Sequence, residues 1–136
     1  MTDIFTPEER SRIMSLIKSK DTAPEKEVFR YLRREGIRFR RHHESIVGKP
    51  DISIPAERKA VFVDGDFWHG WRFPRWRNKL PSDFWKEKIS ANIRRDKRNF
   101  AKLRRQGWKV LRVWDHQLST REKRNKTLRR IQDFLT

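Results

Sequence analysis

No cysteine occurs among the 136 residues, which excludes disulfide frameworks, thiolate zinc sites and cysteine nucleophiles. Long apolar runs are absent too: none approaches the roughly 18 residues of a membrane span, and the N-terminus, MTDIFTPEER, has no apolar signal region. No membrane association and an intracellular, cytoplasmic location are expected. Negative charge is scarce. Eighteen Asp and Glu stand against 35 Lys and Arg, a formal net charge of +17, so an acidic partner is expected. What the chain does have is rings. Six Trp and nine Phe can build a core despite 39% charged residues, which argues against a polybasic tail for an anionic membrane. No internal repeat, low-complexity stretch or linker is visible, and residues 1–136 read as one domain.

Thr6-Pro7-Glu8-Glu9 is a capping-box start, and Ile13, Met14 and Ile17 continue it as a short basic helix ending near Lys20. Thr22-Ala23-Pro24-Glu25 repeats the arrangement. Val28, Phe29 and Leu32 then form an apolar stripe before Gly36, predicting a helix over 23–35. Strands are predicted over 37–42, 51–54 and 60–63, the last apolar throughout and therefore central. Between Gly65 and Pro81 the chain reads DFWHGWRFPRWRNKLP, too rich in Gly, Pro, Trp and Arg for regular structure, and predicts a long functional loop. Over 82–106 one helical face carries Trp85, Ile89, Ile93, Asp96, Phe100 and Leu103. A strand over 109–114 follows, then a helix over 119–135 opened by a Ser119…Glu122 capping box, with Leu128, Ile131 and Phe134 or Leu135 inward. The order implies an α/β fold, a small mixed central sheet with helices on both faces.

Asp51, after Pro50 at the start of a strand, and Asp64, at the end of Ala60-Val61-Phe62-Val63, are carboxylates at strand ends that can share a hard cation beside phosphate. Each taken alone reads better as a turn residue, Asp51 after a proline and Asp64 in an Asp64-Gly65 turn. His69 can take a proton from water or give one to a leaving oxygen. Asp96 interrupts an apolar stripe and so requires an internal partner, either an imidazole such as His69 or one of the arginines. Glu25 fills the third helical position of its capping box, and the same carboxylate can face the strand ends. Phe67, Trp68, Trp71, Phe73, Trp76 and Trp85 alternate with Arg72, Arg75, Arg77 and Lys79, a pattern that serves nucleic acid through stacking and phosphate neutralisation. Trp85 and Phe73 read as core, and Phe67 and Trp68 as facing a ligand. Arg94 and Arg95 lie off the apolar stripe and suit phosphate contact.

The strings RSRIMSLIKSKDTAPE, GKPDI, VFVDGDFWHG, FWKEKISANIRRD and GWKVLRVW, in this order and spacing, resemble the very short patch repair endonucleases over Arg10 to Leu118. That family is a branch of the restriction-endonuclease-like nucleases. It nicks one strand of double-stranded DNA at T:G mismatches left by deamination of 5-methylcytosine, using Mg²⁺. The resemblance implies Asp51 as principal metal carboxylate with the Val63 main-chain carbonyl, for one or two Mg²⁺ ions. It implies His69 as general base, Asp96 as its orienting partner and Glu25 as the holder of metal-bound water. It places Phe67, Trp68 and Trp85 as wedges in the major groove, against the core reading of Trp85. The basic arm over 1–21, with Met14, Lys18 and Lys20, is implied to cross the minor groove, and Arg72, Arg75, Arg94 and Arg95 complete the DNA contacts. A monomer near the nucleoid, in contact with mismatch-repair proteins, is implied as well.

Two departures stand out. The family's repair members bind a structural zinc partly through cysteines. Here the corresponding regions read Trp71-Arg72-Phe73 and Asp115-His116, so no structural zinc is expected and Trp71, Phe73 and Trp76 are expected to form an apolar plug. The second is Asp64, where repair members usually carry histidine; it either ligates metal or pairs with an arginine. Site-specific or homing-type nicking nucleases share the Glu, Asp, His, Asp set, so a nicking enzyme indifferent to mismatches is the first alternative and a non-catalytic DNA-binding module the second.

Overall fold

A computed structural model describes residues 6–8, 22–66, 69–79 and 83–136, apart from the side chains of Trp76 and Lys79. Met14, Lys18, Lys20, Phe67 and Trp68 lie outside the described residues, as does most of the predicted first helix, of which Pro7 and Glu8 are helical. Helix α1, Ala23–Arg34, starts as the sequence predicts: the Glu25 N–H donates to Thr22 Oγ1 while Glu25 accepts from the Thr22 N–H. Its buried stripe is Val28, Phe29 and Leu32.

Four strands form one mixed sheet in the order β1 (Arg40–Arg41), β2 (Ile52–Ile54), β3 (Lys59–Asp64), β4 (Lys109–Trp114). The first two pairings are antiparallel and β3 pairs with β4 in parallel. The expected strand over 37–42 shrinks to Arg40–Arg41. At one end the Ile37 N–H still closes α1 by donating to Leu32 O, and at the other His42 turns the chain with φ of +46°.

Side chains alternate across β3 and sort the helices. Val61 and Val63 meet α1 and the last helix, α4 (Arg121–Leu135), in the larger core, with Leu128, Ile131 and Leu135 inward. Ala60 and Phe62 meet Phe100 and Leu103 of α3, Asp83–Arg105, on the other face. Helix α4 begins two residues later than predicted and its cap falls one residue later: Thr120 is extended and accepts from the Lys123 N–H, whereas the Ser119 backbone is helical and closes the preceding 3₁₀ turn. The stretch predicted as loop carries a short helix, α2 (Phe73–Trp76), with proline in its first turn, and a 3₁₀ turn over Arg77–Lys79. No described helix is long and apolar enough to cross a membrane.

Candidate active site

The parallel strand β3 ends at Asp64, and a cleft of about 780 Å³ opens beyond it, between the N-terminus of α1 and the side of α3. The register of the sheet gathers two separate groups of titratable side chains there, with Glu25 and Asp51 of the first and Asp64, His69 and Asp96 of the second lining the cleft, and both depend on residues far apart in sequence.

The first group is Glu25, His42 and Asp51. Asp51 precedes β2, and its Oδ2 accepts from the Val63 N–H at 2.7 Å, so Asp51 caps the point where the β2–β3 pairing ends. The N–H and C=O of one strand residue point the same way, which turns the Val63 carbonyl to the Asp51 side as well. Arg41 pairs with Ile52, so the next residues, His42 and Asp51, face each other, and the His42 N–H donates to Asp51 O at 3.1 Å. Glu25 reaches this point from the first turn of α1 and is 2% exposed. Burial, then the charge of Asp51 and a hydrogen bond shared with it, push the Glu25 carboxyl up to about 8. Two buried carboxyl groups facing one another hold a proton between them or a cation. That donor set fits a divalent ion.

The second group is Asp64, His69, Asp96 and Arg112. Asp96, from the middle of α3, accepts from His69 Nδ1 at 2.6 Å and from Arg112 Nη2 at 2.8 Å, both on Oδ2. The partner required by this interrupted stripe is therefore both the imidazole and an arginine. Arg112 Nε donates to Asp64 Oδ2 at 2.7 Å, and the other Asp64 oxygen lies 3.6 Å from His69 Nε2. Asp64 thus pairs with an arginine, and its carboxylate groups with His69 and Asp96. Burial raises Asp64 to about 6 against the opposing pull of His69 and Arg112. Burial disfavours the His69 cation most, but the Asp96 hydrogen bond and the charges of Asp64 and Asp96 outweigh it and raise its pKa, with Arg112 opposing. His69 is held from behind by Gly70, whose φ is +74° and where any Cβ would run into the Ile93 side chain.

A third group, Asp66, Asp115 and His116, occupies the region expected to have lost a zinc site. His116 Nδ1 pairs with Asp66 Oδ1 at 2.8 Å, and Asp115 accepts from the Asp66 N–H at 3.3 Å. Trp71 packs its ring on those of Trp114 and His116, with centroids 5.2 and 4.6 Å away. With no cysteine this set cannot form a thiolate-type structural zinc site, although its three side chains offer ligand atoms within 4.8 Å of one another.

Trp85 is 4% exposed and Phe73 is buried, while the neighbouring Phe84 is the exposed large apolar ring among the described residues. Arg72, Arg75, Arg94 and Arg95 are all exposed, and Arg95 borders the cleft. Sequence reasoning missed Arg112 and His42. Arg112 stood inside a predicted strand, where its alternation with Leu111 and Val113 marked only its face. His42 was readable only through the register that sets it opposite Asp51.

A mixed sheet with buried carboxylates at its strand ends, beside a carboxylate-oriented histidine and a basic rim, fits a nuclease of restriction-endonuclease-like build with residues that could hold a metal ion. The comparisons with known proteins agree. The model of the family described as DNA mismatch endonuclease Vsr matches residues 2–75. The Type II nicking enzyme V.NmeAIP of Neisseria meningitidis serogroup A is 41% identical over 138 residues, covering 98% of this chain and 99% of that one. The DNA mismatch endonuclease Vsr of Escherichia coli is 37% identical over 126 residues, 90% of this chain and 80% of its own. The Type II nicking enzyme V.HpaIIP of Haemophilus parainfluenzae is 40% identical over 115 residues, 82% of each chain. The chain belongs to the DNA mismatch endonuclease Vsr family and with it is a DNA endonuclease, one whose acidic and histidine groups could hold a metal ion.

Proposed function

We propose that this endonuclease nicks one strand of duplex DNA at T:G mismatches, with Mg²⁺ as its cation and His69 as its general base. The observation that carries the reading is a single cleft with the Glu25, Asp51 carboxylate pair on one wall and His69, backed by Asp96, on another. A carboxylate can only accept, so Asp96 takes the Nδ1–H and leaves Nε2 with a lone pair to receive a proton from water. Asp64 lies 3.6 Å from that nitrogen, and Arg112, paired with Asp64, also donates to the Asp96 oxygen that holds His69. Asp51, with the Val63 carbonyl and Glu25 beside it, would hold the divalent cation, which when bound supplies charge stabilisation for the phosphorane-like transition state. Arg94 and Arg95 on α3, with Arg72 and Arg75, would neutralise DNA phosphates. Phe67 and Trp68 are assigned to the base stack, where insertion costs least at an imperfect pair. The arm over 1–21, with Met14, Lys18 and Lys20, is assigned to the minor groove of the same duplex. Residues 1–136 act as one domain and one copy, in the cytoplasm beside the nucleoid, and meet mismatch-repair proteins there.

Relatives 40–41% identical bear the name Type II nicking enzyme, which supports a second reading, a site-specific nicking enzyme without a mismatch requirement. A duplex library carrying every mismatch in varied flanks separates the two. Cleavage confined to T:G pairs supports the first; equal nicking of fully paired sites refutes it.

A further inference from the structure

His42 has no part in the chemistry assigned so far, yet its side chain stands against both carboxylates of the proposed cation site. Its Nδ1 lies 3.5 Å from Asp51 Oδ1 and its Nε2 3.8 Å from Glu25 Oε2. The ring is held there from three directions. The antiparallel register sets the residue opposite Asp51, with the His42 N–H on Asp51 O at 3.1 Å. Phe29 of α1 meets the imidazole edge-on, with centroids 5.6 Å apart and planes at 85°. The backbone lies in the left-handed region, φ +46°, an uncommon conformation for a non-glycine residue that turns the chain at this point. The side chain is left 15% exposed.

We propose that His42 is a ligand of the divalent cation, contributing one imidazole nitrogen beside the carboxylates of Asp51 and Glu25. This rests on the assignment of Asp51 and Glu25 as the cation site. The ligand atoms of the three residues lie within 4.8 Å of one another, close enough for one ion to span them after small side-chain adjustments. Mg²⁺ takes oxygen ligands and water, whereas imidazole suits the first-row transition ions, so a nitrogen donor makes this site favour Mn²⁺ over Mg²⁺. Asp64, His69 and Asp96 form their own group across the cleft and supply no donor to this ion.

The test is pulsed electron paramagnetic resonance of Mn²⁺ added to the full chain, with Mn²⁺ and Mg²⁺ affinities measured by titration. Histidine labelled with ¹⁵N replaces the ¹⁴N modulation by its ¹⁵N counterpart in the unmutated protein, which needs no variant to fold. His69→Gln should keep the histidine coupling. His42→Gln, checked by circular dichroism and melting, should lose it together with at least about tenfold in Mn²⁺ affinity and less in Mg²⁺ affinity. Mn²⁺ that binds, is lost with Asp51→Asn and shows no histidine coupling overturns the role of His42 alone. Failure of the protein to bind Mn²⁺ overturns the cation site beneath it as well. Coupling that survives in His42→Gln and vanishes in His69→Gln assigns the nitrogen to the wrong histidine and equally overturns the proposal.

Discussion

Asp96→Asn perturbs the site at the oxygen on which two partners converge, since Oδ2 takes both the 2.6 Å bond from His69 and the 2.8 Å bond from Arg112. A hydrogen bond to a charged group contributes roughly 1.5–3 kcal/mol net, and each 1.4 kcal/mol is about tenfold in rate, so losing the His69 contact should slow nicking about 10–150-fold. Removing a positioned general base altogether costs about 10²–10⁴-fold, which bounds the effect from above. The variant should also change the pH dependence. Asp96 raises the His69 pKa through its hydrogen bond and its charge, against burial. The neutral imidazole is the active form, so activity grows as pH rises through that pKa. With Asp96 neutralised the pKa falls, and the acid limb of the profile should move to lower pH even as the plateau drops. Single-turnover nicking of supercoiled plasmid, followed across pH as conversion to relaxed circles, reads both quantities. An unchanged plateau with an unchanged acid limb would refute the orienting role, and a loss matched by equal loss of DNA affinity would make Asp96 a binding or folding residue.

Further outcomes follow from the same geometry. Asp51→Asn should abolish metal-dependent nicking while leaving DNA binding, measured by mobility shift, nearly intact; a variant that still nicks places the cation elsewhere. Arg112→Leu strips Asp64 and Asp96 of their common cation, so it should move the acid limb of nicking to higher pH, opposite to Asp96→Asn, and lower stability by about 2–3 kcal/mol in urea unfolding. Glu25 has a folded pKa above its ordinary 4.5, so the cation-free fold binds its proton more tightly than the unfolded chain, and stability should decline as pH rises from 4.5 towards about 8. Calorimetry with EDTA should show that decline, and Glu25→Gln or added divalent ion should flatten it; identical slopes in all three samples would remove Glu25 as the cause. Elemental analysis of the native protein should find no stoichiometric zinc, and Trp71→Ala should lower Tm through loss of its packing on Trp114 and His116.

Local chemistry carries far enough to place the elements but not their mutual register. Thr22 and Glu25 announce α1 because a capping box is written in four consecutive residues, and Trp85 to Leu103 announce α3 because helical period is a property of one segment. A local cue can also miss by one position: Thr120, not the predicted Ser119, caps α4, because Ser119 has the helical backbone of the preceding 3₁₀ turn and Thr120 the extended one a cap needs. The short helix α2 escaped notice because four residues offer no period to read.

Asp96 shows how far one position can point. A carboxylate inside an apolar stripe declares that a partner exists, and composition limits the candidates to imidazole or guanidinium, yet nothing in the stripe says that both would share one oxygen. That answer needs the parallel pairing of β3 with β4, which sets Arg112 beside Phe62 and so carries its side chain past Asp64 towards α3. The physical consequence is a charge argument. His69 lies between two carboxylates that favour its cation, and a base must be able to lose that proton; Arg112 is the fixed positive charge that partly offsets both acids. Asp64 and Arg112 therefore act as a unit, and changing either one alone should disturb His69 more than changing the two together to an apolar pair of similar volume.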